Sequence, residues 1–591
     1  MSNIGKIIIT TCLEHKKNKK TKNIIFAGDW CLKDRKKINE KNIFPNIWDD
    51  YKTINKDFVL IKKIHARINK KLSEYLFNLH EKKISRKIWE NLLFVWLTYY
   101  LFFHFFKWKT IKNIFKKNRS LVFYNYKTDK RFKHIDSLDF YNDSSNSDLF
   151  NYESFKKIIL YKAKIKLIKV KIINKKENLK DTKNFPQQNY NNDNFHFLRK
   201  ITAFLQKKFL NPQLLILDGI NFKFNSLINI FSFQFPANFK KVFDWPSLKK
   251  KIELDNKNYN HEKIKTNGSS FEKFILANIV NDLPQCFTSG FSHLYKFSEQ
   301  IKLNPKIIIS GTQHVHNEIA KLWLLQEKYN NNKKLFIVSH GGGHQNLSLT
   351  MYDYEHKIGN HFFQWLDKKK FYGYRLPNTK YSFNIKKRNI NPEKIIFVGN
   401  ELKPYINRIS PGPMSINSMN TIQDLEILKK NLRENIRSKI YYAPKKKMVN
   451  FFEYKISKIL KKDKILPIGR LDESLKNCKL VICSYPQTTF FDAIMSGPTI
   501  LVYNPKLWVH YKELDKVYKL LKLHSIAFDD PSNAAKHINR IWGDIYGWWN
   551  QKDVLNARKL FLKEFNLPPN NNLSDVFKCL KIFKKSVNNK F

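Results

Sequence analysis

The chain has 591 residues, 42% hydrophobic and 15% aromatic, so it is long enough for two large folded domains and unlike a disordered protein. Its 108 Lys and Arg residues against 50 Asp and Glu give a formal net charge of +58, which favours anionic partners. An AT-rich coding sequence explains much of this excess, because Lys, Asn, Ile and Phe are abundant throughout. No zinc-finger, RRM-type or bZIP pattern is present, so we expect no nucleic-acid partner, and a basic nucleic-acid-binding protein stays an alternative.

The six cysteines are scattered, without a CxxC pair or a ligand-like spacing. This pattern is typical of reduced thiols in the cytosol, and we expect no structural zinc site. The first eleven residues form a short apolar run that predicts a strand instead of a signal peptide. We therefore expect a cytoplasmic protein, acting there or at the inner face of the membrane.

The first half of the chain combines short strands, long helices and polar stretches. Strands are predicted at Lys6–Thr11, Asn23–Ala27 and Leu214–Asp218, helices at about Tyr51–His80 and Ser85–Lys116, and loops or insertions at Tyr141–Asp148 and Asn174–Asn194.

The segment Leu92–Phe106 is the most apolar part of the sequence. Its length falls short of the roughly 20 residues that cross a bilayer, so the favoured interpretation is a helix buried on all sides. An interfacial helix on a membrane surface is the alternative, because lysines and arginines flank it.

A β-α-β unit is predicted from Ile307 onward, with strands Ile307–Ser310 and Leu335–Ser339 around a helix at Asn317–Tyr329. A second α/β series follows. Its strands are predicted at Lys394–Gly399, Lys439–Pro444, Leu480–Cys483 and Thr499–Tyr503, and its helices at Phe451–Leu460, Leu471–Asn477, Thr488–Met495 and within Asn533–Phe565.

This order predicts an α/β protein with two Rossmann-like lobes and parallel sheets, with helical insertions in the N-terminal lobe. The predicted division is an acceptor-side lobe at 1–390, a donor-binding lobe at 391–565 and a basic tail at 566–591. Ligands of such folds bind at the carboxyl ends of the strands, where the two most informative loops fall.

The first of these loops is His340-Gly341-Gly342-Gly343, after the strand that ends at Ser339. Consecutive glycines let backbone N–H groups face an anion, and His340 is suited to act as a base. A tight turn with a hydrogen-bonded histidine is the alternative. Glu355 is a candidate carboxylate that orients His340 or acts as an acid.

The second loop follows Cys483 and leads into a helix. Ser484, Thr488 and Thr489 are predicted to cap this helix and to bind a diphosphate at its N-terminus, with Gln487 in the same loop. Asp492, one turn inside, suits a ribose hydroxyl or the helix dipole. Ordinary N-capping is the alternative.

Two further features concern charge and metal. Lys445 follows a predicted strand end and is a candidate to neutralise donor phosphates. His314 and His316 alternate like a metal pair, but no third ligand is evident, so we expect no metal.

The sequence resembles a bacterial family of transferases found among O-antigen and other surface-polysaccharide genes. The resemblance covers nearly the whole chain and rests on blocks in a fixed order: Thr10-Thr11, Gly28-Asp29-Trp30-Cys31, Trp48-Asp49-Asp50, the His-Gly-Gly-Gly loop with Tyr354-Glu355-His356, Tyr485 to Phe490, and Trp548-Trp549-Asn550 with Ala557-Arg558.

More distantly, the segments Tyr442-Ala443-Pro444, Cys483–Asp492 and Pro498–Tyr503 resemble CDP-glycerol glycerophosphotransferases and capsule transferases, which have the GT-B fold. This resemblance implies that His340 is the base on an acceptor hydroxyl and that Ser484, Thr488 and Thr489 hold the donor phosphates. The sequence departs from that pattern, because an Asp is expected near Ser484 or Tyr485, and Gly or Ser at Gln487.

We therefore expect a metal-independent, GT-B-like transferase that moves a glycosyl or polyol-phosphate group. Its expected partners are a nucleotide-sugar or nucleotide-polyol donor and a carbohydrate or lipid-linked acceptor, with peripheral membrane contact as a further expectation. The donor is a substrate, so no cofactor is expected. A sugar-nucleotide epimerase or hydrolase on the same fold is the alternative.

Overall fold

The computed structural model describes residues 5–18, 23–32, 42–48, 51–118, 120–128, 132–180, 214–218, 243–255, 264, 267–339, 341, 352–364, 366, 374–375, 388–389, 391–400, 404–406, 416–444, 450–468, 471–506, 508, 510–565, 567 and 581. Within these residues the protein is α/β and its strands pair in parallel, which confirms the predicted fold class.

The described strands form three sheets. Sheet I contains β1 (Lys6–Ile9), β2 (Ile24–Phe26), β3 (Leu121–Thr128) and β4 (Lys171–Leu179) in the order β2-β1-β3-β4. Sheet II contains β5 (Leu214–Ile216), β6 (Ile307–Ser310), β7 (Lys334–Val338), β8 (His361–Gln364) and β9 (Tyr374–Arg375) in sequence order. Sheet III contains β10 (Ile395–Val398), β11 (Ile440–Ala443), β12 (Leu480–Cys483), β13 (Thr499–Val502) and β14 (Ala527–Phe528) in the order β11-β10-β12-β13-β14.

Helices connect and cover these sheets. In the first half they are α1 (Cys12–Lys17), α2 (Tyr51–Leu79), α3 (Arg86–Lys117), α4 (Ser137–Asn146), α5 (Asp148–Lys164), α6 (Trp245–Lys249), α7 (Ser270–Asp282), α8 (Phe291–Glu299), α9 (Gln313–His316), α10 (Glu318–Tyr329) and α11 (Tyr352–Ile358). In the second half they are α12 (Ile416–Asn431), α13 (Glu434–Arg437), α14 (Asn450–Ile459), α15 (Leu471–Lys476), α16 (Thr488–Ser496), α17 (Asp515–Leu523), α18 (Pro531–Ile541), α19 (Ile545–Asn550) and α20 (Lys552–Glu564).

The region before residue 390 therefore holds two sheets, where one lobe was expected. Sheets I and II share one continuous hydrophobic core, and sheet III has a core of its own. The division at residue 390 stays a prediction. Leu366 packs into the sheet III core, whereas Tyr405 and Ile406, from beyond that residue, pack into the core of sheets I and II.

Helix α3 fills the centre of the first core. Trp89, Trp96 and Tyr100 are fully buried on it, so a helix buried on nearly all sides is confirmed for Leu92–Phe106. The alternative of an interfacial helix is wrong, because other elements cover this segment: α2 and α10 pack along it and Phe274 of α7 contacts His104. No helix among the described residues is long and apolar enough to cross a membrane.

The predicted loop at Tyr141–Asp148 is wrong, since this segment forms most of α4 and the start of α5. Ser147, a polar residue of this segment, caps α5 by accepting a hydrogen bond from the backbone of Phe150, and Asp136, before the segment, caps α4 by accepting one from Asp139. The predicted loop at Asn174–Asn194 is wrong for its first part, because the residues up to Leu179 belong to strand β4. Its part from 181 to 194 lies outside the described residues.

Candidate functional site

The start of helix α16 lies at the carboxyl edge of sheet III, directly after β12. Gln487 occupies the N-cap position, and its side chain makes no capping hydrogen bond. The prediction that threonine hydroxyls cap this helix is therefore wrong, because Thr488 and Thr489 are already helical residues. The positive end of the helix dipole and the first-turn N–H groups favour an anionic group at this edge.

Gly341, from the loop after β7, lies opposite this helix start. A Cβ atom at position 341 would lie 3.2 Å from Thr488 Oγ1, so the loop after β7 and the start of α16 are in close contact. Ser339 holds the loop, because its backbone N–H donates to Phe363 O at 2.8 Å and its hydroxyl donates to Gly341 O at 3.3 Å. A glycine at position 341 permits this close approach.

The loop between β12 and α16 is held by Tyr485. Its hydroxyl and Thr489 Oγ1 are 3.1 Å apart, and its ring stacks on Trp508 with centroids 5.7 Å apart. Thr489 is only partly buried, and so is Asp492, one turn further along the helix. Their contacts to a donor stay a prediction.

Ser484 has a different local role. Its hydroxyl donates to Val398 O at 2.9 Å and its backbone N–H donates to the same oxygen at 3.3 Å, which ties the ends of β10 and β12 together. The side chain is 4% exposed. Because its proton is used inside the fold, this arrangement does not favour the predicted contact between Ser484 and a donor phosphate.

A buried polar chain lies behind the glycine loop, at the carboxyl edge of sheet II. His314 Nδ1 is 2.9 Å from Ser310 Oγ, and His314 Nε2 is 3.2 Å from Glu355 Oε1. All three side chains are almost completely buried. The chain continues to Asp218, whose Oδ1 accepts from Ser310 Oγ at 3.3 Å and from Gly311 N at 2.8 Å.

Ser310 has a single hydroxyl proton, so it donates either to Asp218 or to His314 Nδ1, and the ring nitrogens take the complementary role. The four side chains therefore form one continuous hydrogen-bonded chain at this edge of the sheet.

Glu355, which we expect to orient His340 or to act as an acid, places Oε1 at 3.2 Å from His314 Nε2. Because His340 lies outside the described residues, the contact between Glu355 and His340 stays a prediction. His314 and His316 do not form a pair, since His314 is buried and His316 is exposed. The signal that sequence reasoning missed is the spacing of Ser310 and His314, four residues apart at a strand end.

Two residue blocks of the family resemblance meet at the carboxyl edge of sheet I. Trp30 Nε1 donates to Thr10 O at 2.9 Å, and both Thr10 N and Thr11 N donate to Glu14 Oε2 at 2.8 Å. Burial raises the pKa of Glu14 to about 8, although these hydrogen bonds favour its charged form. Within the described residues, Glu14 Oε1 is buried without a hydrogen-bond partner.

A short segment after β10 connects sheet III to this edge. Tyr405 is 1% exposed, its hydroxyl donates to Asp148 Oδ1 at 2.5 Å, and its N–H donates to Ser145 O at 3.3 Å. Its ring centroid is 6.1 Å from that of Trp30. The segment that follows the carboxyl end of β10 is thus anchored in the first core.

Four predicted site residues lie outside the described part of the chain. They are His340, Gly342, Gly343 and Lys445. The structure brings together Gly341 and Thr488, places Gln487, Thr489 and Asp492 on or next to the same helix start, and holds Glu355 in the chain behind the glycine loop.

Fold and site together define a parallel α/β protein in which a loop at the carboxyl edge of sheet II meets a helix start at the carboxyl edge of sheet III. The chain belongs to a transferase family: the model of the LIC12162 family transferase matches residues 6–579. No curated protein matches it.

Two solved structures are similar to parts of the chain, each with 10% sequence identity over 49% of it. One is a Listeria monocytogenes protein named for its expected UDP-N-acetylglucosamine 2-epimerase activity, with a TM-score of 0.30 and 84% of its own chain covered. The other is the spinosyn rhamnosyltransferase SpnG, with a TM-score of 0.29 and 77% of its chain covered.

Proposed function

We propose that this transferase moves a glycosyl or polyol-phosphate group from a nucleotide-activated donor to a hydroxyl of a surface-carbohydrate acceptor, in a GT-B arrangement. The observation that carries the proposal is the approach of Gly341 to Thr488 Oγ1, and the crevice that we propose for the ligand lies beside this contact. One side offers a helix start without a side-chain cap, and the other offers the glycine loop next to a buried hydrogen-bonded chain.

The donor diphosphate would bind at the start of α16. The helix dipole and first-turn N–H groups stabilise negative charge there, and the hydroxyls of Thr488 and Thr489 supply further donors. Asp492 would meet a sugar or ribose hydroxyl, and Lys445 would neutralise the departing phosphate. We assign Ser484 to holding the loop, because its hydroxyl donates to Val398 O.

The chemical step would use His340 as the base. The acceptor oxygen forms a bond to the anomeric carbon or to the phosphorus of the donor, the bond to the nucleotide phosphate breaks, and the acceptor proton passes to the imidazole. The leaving phosphate keeps the electron pair and is stabilised at the helix start, so the step needs no metal. The His314–Glu355 pair would stabilise the protonated form of His340 electrostatically.

A thermal-shift screen of the full chain against CDP-, CMP-, UDP-, GDP- and dTDP-linked compounds tests the donor class. A ligand at about a hundred times its Kd stabilises the folded state by about 2.7 kcal/mol, which such a screen resolves. The variant Thr488→Ala should lose most of the shift. Its matched control is Ser532→Ala, in a helix that Asp530 already caps, which should keep it.

Turnover separates the proposal from its alternatives. A transferase consumes the donor only when an acceptor is present, whereas an epimerase or hydrolase consumes it alone. If no nucleotide-linked compound shifts the melting temperature, or if the donor is converted without an acceptor, the proposal is wrong.

A further inference from the structure

The segment from the end of α5 into β4 carries an unusual surface. Among the described residues, three of the eleven exposed large aliphatic side chains lie within eight positions: Ile165 is 39% exposed, Leu167 50% and Ile172 37%. The lysines at positions 164, 166, 169, 171 and 176 are exposed around them. We call these eight residues the lysine–aliphatic patch.

The backbone explains why the aliphatic side chains are exposed. Lys166 has φ of +56°, and Leu167 N donates to Lys162 O at 2.9 Å, so the helix ends in a left-handed turn without glycine. At such helix ends the residue after the left-handed position often packs back on the helix. Leu167 instead projects with half of its surface exposed.

The charge along this segment has one sign. No acidic residue occurs between Glu153 and Glu177 in the sequence, and Glu177 is paired with Lys17 at 3.1 Å. The lysine-rich composition of the chain explains a basic surface, but it does not explain why exposed isoleucine and leucine side chains cluster among the lysines. The combination of exposed aliphatic side chains and unopposed lysines is what an anionic lipid surface binds.

We propose that the lysine–aliphatic patch docks this protein on an anionic phospholipid bilayer, with the lysines at the headgroups and Ile165, Leu167 and Ile172 in the interfacial layer. Five of the eight patch residues precede β4 and three lie within it, so the patch extends from the amino edge of sheet I along its edge strand. The inference does not depend on the proposed transfer reaction.

Two other occupants fit the patch less well. A nucleic acid would use the lysines but would leave the three aliphatic side chains exposed to water. A second copy could pair with β4, the last described strand of sheet I, but this would bring lysines against lysines.

Co-sedimentation of the full chain with vesicles tests the proposal. The vesicles are phosphatidylcholine alone, or phosphatidylcholine with about one-third phosphatidylglycerol, which supplies the surface charge. We expect binding to the anionic vesicles only. The triple variant Ile165→Ser, Leu167→Ser, Ile172→Ser should lower the partition constant about tenfold or more, since each exposed aliphatic side chain adds insertion free energy.

A matched control replaces three exposed aliphatic side chains of the sheet III region, Ile427, Leu523 and Leu560, by serine. It should bind vesicles as the unmodified chain does. Unchanged circular dichroism and melting temperature show that both triple variants are folded.

Three results would overturn the proposal. Equal binding of the patch variant and the control would show that the aliphatic side chains do not insert. Equally strong binding to a labelled oligonucleotide, lost on Lys166→Gln, Lys169→Gln, Lys171→Gln but kept by the serine variant, would identify a nucleic-acid surface. A concentration-dependent dimer that only the patch variants dissociate would identify a second copy as the occupant.

Discussion

A disulfide between positions 341 and 488 is the most direct test of the crevice. In a disulfide, the Cβ atom of one cysteine lies about 3 Å from the sulfur of the other, as the bond lengths require. The Cβ position at Gly341 is 3.2 Å from Thr488 Oγ1, the atom that a cysteine sulfur would replace. We therefore expect the double variant Gly341→Cys, Thr488→Cys to form this bond under mild oxidation.

The expected stabilisation follows from the length of chain that the bond closes. A loop of about 150 residues gives a chain-entropy stabilisation of up to about 5 kcal/mol, lowered by any strain at the new bond. Urea denaturation of the oxidised and reduced forms measures it. A donor that occupies the crevice should also lose its thermal shift in the oxidised form and regain it after reduction.

The background for this experiment is favourable. Cys12, Cys31, Cys286, Cys478 and Cys483 are buried, so they should not compete, and Cys579 is replaced by serine. Non-reducing electrophoresis reports the bond, and each single variant serves as a control. If the double variant stays reduced while folded, the two loops do not face each other and the proposed mechanism fails with them.

Three further predictions concern buried charged groups. The folded state raises the pKa of Glu14 to about 8, so the stability that Glu14 contributes is present below its unfolded pKa and is lost as the pH rises towards about 8. Between about pH 5 and 8 the unmodified chain should therefore lose about 1.4 kcal/mol of unfolding free energy per pH unit relative to the variant Glu14→Gln. Denaturation at each pH measures this difference. A parallel pH dependence of both proteins would contradict this. Arg388→Met should lower the free energy of unfolding in urea by about 3 kcal/mol, because the buried guanidinium donates to Pro498 O and, at 2.9 Å, to Ala493 O, and both carbonyl oxygens lose this donor. An unchanged urea midpoint would refute this prediction. His314→Leu should cost about 3 kcal/mol in urea, because Ser310 Oγ and Glu355 Oε1 lose the ring nitrogens that they contact in the core, and an unchanged midpoint would contradict this.

Much of the fold could be predicted because buried parallel strands are short apolar runs. Ile307–Ser310, Leu480–Cys483 and their neighbours have this pattern, and the helices between them have the matching spacing. Strand β3 (Leu121–Thr128) was not predicted, although its start is equally apolar. Strand β3 pairs with β1, which lies more than a hundred residues earlier, and this pairing forms sheet I as a sheet distinct from sheet II. No local sequence pattern indicates a pairing over such a distance.

The candidate site was predictable where its chemistry is local. The glycine loop and the helix start after β12 are visible in sequence because glycine and threonine are distinctive at strand ends. The buried chain was not, because His314 and Glu355 are 41 residues apart and become partners only when α11 packs against the edge of sheet II. The same holds for Ser484, whose hydroxyl donates to a strand 86 residues earlier in the chain.

The two sides of the crevice differ in a way that bears on the proposed reaction. The sheet III side presents a helix start, which stabilises negative charge and releases no proton. The sheet II side has the side chains of Asp218, Ser310, His314 and Glu355 in one hydrogen-bonded chain, next to the loop that carries the proposed base His340. Group transfer to a hydroxyl needs a proton acceptor and a site for negative charge on opposite sides of the reacting atom, because the proton leaves from the acceptor while charge develops on the donor phosphate. In the proposed reaction the donor nucleotide would therefore lie against α16, and the acceptor would approach from the side of the glycine loop.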